Sequence, residues 1–162
     1  MKKPYSIRGS CKRLVIACFF LVVPVFTYSQ TAQAIEELLD TQAVNMQQAA
    51  WLVLEAANLS GPAGIISQAE AFRYAVEQQW LPANAEPNSR IRLDRFSLLV
   101  MRAFDMRGGI FYSIFGNPHY AYRELVYRNV ILGRADPGMA VSGYELLYVV
   151  NRILAFQEAD LL

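Results

Sequence analysis

The sequence predicts an all-α fold, a single domain whose helices form a pseudo-threefold bundle. Three observations lead there. Apolar residues recur at helical spacing through most of the chain after residue 34. Residues able to cap a helix stand ahead of these runs. The pattern also repeats, because offsets of 47 and 50 bring three segments into one register.

Residues 34–40, AIEELLD, read as the last turns of a helix, and 41–44 as a break. Asn45 caps the next helix, with Gln48 three residues on as the partner in a capping box. Within 46–59, Ala49, Leu52, Val53 and Ala56 share a face, and Gly61-Pro62 stops the run. Ser67 and Glu70 form a second capping box, S-x-x-E. The helix behind it runs to about Gln79, with Phe72, Ala75 and Val76 on one side, and Trp80-Leu81-Pro82 ends it. A polar loop, 83–90, contains Pro87-Asn88. The next helix runs from Leu93 to about Met106, carries Phe96, Leu99, Val100 and Ala103, and stops at Gly108-Gly109.

Residues 110–116, IFYSIFG, are apolar and aromatic without helical period, and read as a packed connector or a short strand. Asn117-Pro118 then opens a helix, a capping amide followed by proline in the first turn. It carries Tyr122, Leu125, Val126 and Val130 and is expected to end near Leu132-Gly133. A loop holds Asp136-Pro137-Gly138. Ser142 and Glu145 make a third capping box, ahead of a helix with Leu146, Val149, Val150 and Ile153 on one face. Residues 157–162 read as a frayed tail.

A shift of 50 aligns two segments without gaps. Ala71-Phe72-Arg73 falls on Ala121-Tyr122-Arg123, Val76 on Val126, Pro87 on Pro137, Ile91 on Val141, and Arg102 on Arg152. A shift of 47 adds the first long helix, with Val44 on Ile91 and Leu52-Val53 on Leu99-Val100. Units of this length cannot each bury an apolar face alone, so neighbours must share a core. The copies span about 34–60, 65–108 and 110–156.

These residues resemble the S-layer homology (SLH) domain, a repeat usually present in three copies. Pro118-His119-Tyr120-Ala121-Tyr122 stands where that family has its H-W-A helix entry. Val130-Ile131-Leu132-Gly133 matches the turn after its first helix. Val141-Ser142-Gly143-Tyr144-Glu145-Leu146 stands at I-T-R-A-E-F, and Pro87-Asn88-Ser89-Arg90-Ile91 fits P-N-x-x-I. The resemblance covers about 34–155. It implies a helical domain that holds a protein non-covalently to peptidoglycan-linked polymers. The motif arginine of T-R-A-E is replaced by Met46, Leu93 and Gly143 in the three copies, the tryptophan by Glu70 and Tyr120, and the motif aspartate by Ile114. In the family these positions help bind wall polymer. Their replacement opens the alternative of an envelope protein–protein interaction module that has lost polymer binding.

The N-terminus supplies an address. Lys2, Lys3, Arg8, Lys12 and Arg13 precede the apolar run 14–26, and small residues follow at Ala32 and Ala34. That order is a secretory signal peptide, 1–34, with cleavage after Ser29 or Ala34. The run is shorter than the roughly 20 residues a spanning helix needs. No stable membrane span is therefore expected after processing, and the destination is the periplasm or cell surface. Cys11 and Cys18 both lie in the leader, so the domain at 35–162 has no thiol chemistry. Its ten arginines face fourteen acidic residues, a net charge of about −4 that disfavours a nucleic-acid partner.

Few residues suggest catalysis, and a non-enzymatic protein without cofactor or metal is expected. His119 is the only histidine, so a His/Cys metal site has too few ligands. No G-x-S-x-G nucleophile elbow occurs. The ligand-binding candidates are Arg92, Arg95, Tyr120, Ser142 and Glu145. Arg90, Arg92 and Arg95 cluster at a helix start, where they oppose the helix dipole unless they grip a carboxylate or an acidic polymer. Ser142 and Glu145 match the family's Thr and Glu, though helix capping alone accounts for them. The aromatic residues at 111, 112, 115, 120 and 122 are expected in the core; exposed together, they would suit a partner protein. The expected partner is a cell-wall polymer or an envelope protein.

Overall fold

The computed structural model describes residues 33, 35–59, 67–133 and 136–160. The chain divides into two compact units, 1–37 and 38–162. In the first, residues 33 and 35–37 are helical; 1–32, which hold most of the proposed leader, lie outside the described residues, as does the Gly61-Pro62 stop.

The second unit is all-α. After a helical turn at 38–39 it contains α1 (Met46–Ala56), α2 (Gln68–Glu77), α3 (Leu93–Ala103), α4 (Ile110–Phe115), α5 (Pro118–Tyr127) and α6 (Gly143–Asp160). Helix α1 packs mainly on α2 and also meets α3 and α6; α3 packs mainly on α5, and α4 on α5. The expected apolar stripes face inward. Ala49, Val53, Phe96, Leu99, Val100, Leu146 and Ile153 have no exposed surface, and Leu52, Ala103, Val149 and Val150 are buried. Ala56, at the end of its stripe, is half-buried. On α2 and α5 the buried face is turned from the expected one, onto Ala71 and Ala75 and onto Ala121 and Leu125. Phe72, Val76, Tyr122 and Val126 are only half-buried.

The helix starts follow the sequence chemistry. Asn45 and Gln48 form a reciprocal capping box, as do Ser67 and Glu70. Asn117 accepts from the Tyr120 N–H, with Pro118 in the first turn. Helix α3 has no side-chain cap, since Arg92 stands at that position. Its first amides are satisfied from elsewhere: Leu93 donates to the Met139 carbonyl and Asp94 to that of Pro137. Likewise, Met46 of α1 donates to the Ser89 carbonyl and Gln47 to that of Pro87. Pro87 and Pro137, aligned in sequence, thus each accept from the second residue of a helix.

The helix ends fall earlier than expected. Asn58, Gln79, Asp105 and Asn129 adopt positive φ between 47° and 60°. The next amide reaches back five residues in each case: Leu59 to Leu54, Trp80 to Ala75, Met106 to Met101, and Val130 to Leu125. This is the Schellman closure, which uses up the last helical carbonyls. Helix α5 therefore stops at Tyr127 rather than near Leu132, and α3 stops ahead of Gly108-Gly109. Two further expectations are corrected. Residues 110–115 form a helix rather than a connector or strand, and α6 continues through 157–160, which had read as a frayed tail. The amide of Ser113 bonds the Gly109 carbonyl and that of Gly116 the Tyr112 carbonyl, giving α4 its turns.

Where the three long helices begin, the backbone closes a ring. The Val44 N–H donates to the Val141 carbonyl at 2.8 Å, Val141 to Ile91 at 3.2 Å, and Ile91 to Val44 at 2.9 Å. All three side chains are fully buried. Satisfying these buried amides requires all three segments at once.

Candidate functional site

An open, mostly apolar groove of about 310 Å³ is lined by Leu93 of α3, Ile131 and Leu132, and Tyr144, Glu145, Tyr148 and Val149 of α6. Residues four apart on a helix lie one above the other, which sets Tyr144 beneath Tyr148. Their rings stack 6.4 Å apart at 20°, and Tyr144 is 66% exposed. Arg152, one further turn on, lies over the rings of Tyr148 and Phe156 and donates to the Tyr148 hydroxyl. The groove thus combines an aromatic wall, an aliphatic floor and one carboxylate.

The five sequence candidates do not converge. Glu145 lines the groove, but its Oε2 accepts from both the Ser142 N–H and hydroxyl at 2.9 Å, while Ser142 Oγ accepts from the Glu145 N–H at 3.2 Å. Both residues are engaged in starting α6. Arg92 pairs with Asp94 at 2.8 Å, its own side chain 57% exposed. A pair this exposed contributes only about 0–1 kcal/mol. The other oxygen of Asp94 accepts from the Arg95 N–H, so a carboxylate, and not only positive charge, occupies the first turn of α3. Arg95 is half-buried and Arg90 exposed. Tyr120 stands in a different place, on α5.

Tyr120 belongs to an aromatic cluster. It stacks on Phe111 at 5.8 Å and Phe115 at 5.1 Å, with His119 edge-on at 5.4 Å. Contrary to the core expectation, Phe111 and Phe115 are 64% and 56% exposed; only Tyr112 of α4 is buried. Burial of Tyr112 pushes its hydroxyl pKa up, with Arg102 opposing and Asp105 and Glu124 adding. That hydroxyl has no hydrogen-bond partner among the described residues.

Glu124 anchors this region. Its Oε2 accepts from the Gly109 N–H at 2.9 Å and its Oε1 from Arg128 Nε at 2.8 Å, while Arg128 also donates to the Arg107 carbonyl. Partial burial works to raise the Glu124 pKa, but the Gly109 amide and Arg128 outweigh it and hold the carboxylate below its ordinary value.

Sequence reasoning missed Tyr144 and Tyr148 as groove residues and α4 as an exposed face. The first had a signal, an aromatic pair at i and i+4. The second had the signal of GG and G flanking an apolar hexapeptide. No protein-family model, no curated protein and no solved structure matches the chain. Among the described residues, no helix is long and apolar enough to cross a membrane.

Proposed function

We propose that this chain is a secreted, non-catalytic envelope protein built from three SLH-like copies about a pseudo-threefold axis, which binds cell-wall polymer or acts as a scaffold at the wall. The observation that carries the reading is the ring of Val44, Ile91 and Val141. These residues are equivalent under the offsets of 47 and 50, and each donates to another copy in cyclic order. The Tyr144–Tyr148 groove offers aromatic faces and a carboxylate of the kind a sugar polymer engages. Export and localisation to the periplasm or cell surface rest on the N-terminal charge and hydropathy pattern alone.

Co-sedimentation with purified sacculi tests this reading. The protein is expected in the pellet at modest salt, and Tyr144→Ala is expected to release it. Recovery of the wild type in the supernatant under those conditions would sink polymer binding. The second reading, an envelope interaction module, is favoured by the dispersal of the sequence candidates. Tyr120 does not line the groove, Arg92 is paired, and Ser142 and Glu145 cap a helix. A specific envelope protein crosslinked by the full chain, with no retention on sacculi, would select it.

A further inference from the structure

Helix α4 exposes almost everything it has. Ile110 is 76% exposed, Phe111 64%, Ile114 68% and Phe115 56%. These four lie at i, i+1, i+4 and i+5, so they form one broad outward face, with Tyr112 alone turned inward. Exposed apolar residues gathered in this way mark an interaction surface. The helix is held rigidly from below: Glu124 receives the Gly109 amide, Arg128 holds the Arg107 carbonyl, and Gly108 lies directly against the Tyr112 ring.

The surroundings of α4 indicate what covers it. Arg102 and Arg107 line the recess beside Ile114 and Phe115, and Arg123 lines the one beside Ile110 and Phe111. Arg128 is also adjacent, through Arg107. Against these four stand Asp105, beside Met106 and Arg107, and Glu124, which Arg128 and the Gly109 amide already engage. The rim of α4 therefore carries about +2, within a domain of about −4 from residue 35 onward. Tyr120 and Tyr127, the latter 83% exposed, stand at its base. Tyrosine is a residue type that favours the boundary between acyl chains and headgroups.

We propose that α4 is a wedge that inserts into the surface of an anionic lipid layer, with Ile110, Phe111, Ile114 and Phe115 among the upper acyl chains and Arg102, Arg107 and Arg123 at the phosphates. A six-residue helix is only about 9 Å long and cannot span a bilayer, so α4 would lie within the interface and not cross it. A second copy of the chain is the less suitable occupant, because it would bring two positive rims together. The inference is independent of the sacculus reading, since it rests on α4 and not on the groove.

The test is flotation of the processed protein with two kinds of vesicle, pure phosphatidylcholine and phosphatidylcholine mixed with phosphatidylglycerol. Binding to the mixed vesicles is expected, falling steeply as salt rises. Ile110→Ser with Ile114→Ser should lower it more than tenfold, while circular dichroism reports an unchanged fold. Arg107→Gln and Arg123→Gln should each cost roughly fivefold on mixed vesicles and little on neutral ones. As a readout at the site itself, Ser113→Cys carries an environment-sensitive fluorophore, which should brighten and shift to the blue on mixed vesicles. No flotation, flotation unaffected by the isoleucine changes, or a silent fluorophore would each overturn the proposal. So would self-association without lipid that the isoleucine changes abolish, since the occupant would then be a second copy.

Discussion

The carbonyl oxygen of Leu38 sits where a side chain on residue 143 would begin: a Cβ built on Gly143 would lie 1.6 Å from that oxygen and 2.6 Å from its carbon. The Gly143 N–H also donates to the Thr41 carbonyl at 2.9 Å. Helix α6 therefore starts in direct contact with the backbone at 38–41. The obstacle is main chain, which cannot swing aside as a side-chain tip would. Gly143→Ala is expected to destabilise the protein by about 3 kcal/mol or more in urea unfolding. Gly138→Ala is the control. Its nearest neighbours are the side-chain atoms of Asp136 and Arg92, the closest at 3.4 Å, and its effect should be small.

The helix ends offer a second measurement. Gln79 and Asn129 hold equivalent positions 50 apart, both at positive φ, 60° and 56°. A left-handed conformation costs most residues about 1–2 kcal/mol, while asparagine visits it more readily and glycine without penalty. Gln79→Gly should therefore stabilise the protein by about 0.5–1 kcal/mol, after allowing for the extra entropy glycine loses on folding. Asn129→Gly should gain less. Equal gains at both sites would refute this account of the two ends.

How much of this was legible follows from which physics acts locally. The caps at Asn45, Ser67, Asn117 and Ser142 were readable because each bonds the amide three residues on. The stripes were readable because burial follows the helical period. The helix ends were misplaced because Gln79 and Asp105 adopt a conformation that residue type alone does not demand. Helix α4 was missed because its face is apolar nearly all round, and a helix that buries one side chain out of six has no amphipathic period to detect. The site candidates dispersed for a different reason. Arg92 is drawn to Asp94, Ser142 and Glu145 bond each other at the start of α6, and Tyr120 stacks on Phe111 and Phe115, so each is held by a local partner and not by a shared site.

Glu124 sets a pH dependence for the base of α4. Its folded pKa lies below the ordinary 4.5, because the Gly109 amide and Arg128 outweigh partial burial. A carboxylate with a depressed folded pKa contributes stability that is complete above 4.5 and lost as pH falls through the folded value. Arg128 is 38% exposed, which limits the contribution to about 1 kcal/mol. The protection factor of the Gly109 amide, its intrinsic exchange rate over the observed one at each pH, should fall as pH drops below 4.5. Glu124→Ala, which removes the acceptor, should show low protection already at neutral pH and no further loss on acidification. A wild-type rate that tracks global unfolding alone would contradict this.

Ser142 separates the capping role from a ligand role. Its hydroxyl accepts from the Glu145 N–H and donates to Glu145 Oε2, which also accepts the Ser142 N–H. All three bonds lie within the first turn of α6, so none depends on an outside partner. Ser142→Ala should cost about 1 kcal/mol of stability, the usual loss of a cap. Ser142→Thr and Ser142→Asp should restore most of it, because both offer an oxygen to the same amide. If the residue only caps, sacculus retention should be unchanged across the series once stability is allowed for, whereas Tyr144→Ala should reduce retention without loss of stability. Retention that follows the hydroxyl, lost in Ser142→Ala and Ser142→Asp but kept in Ser142→Thr, would instead place a ligand at the start of α6.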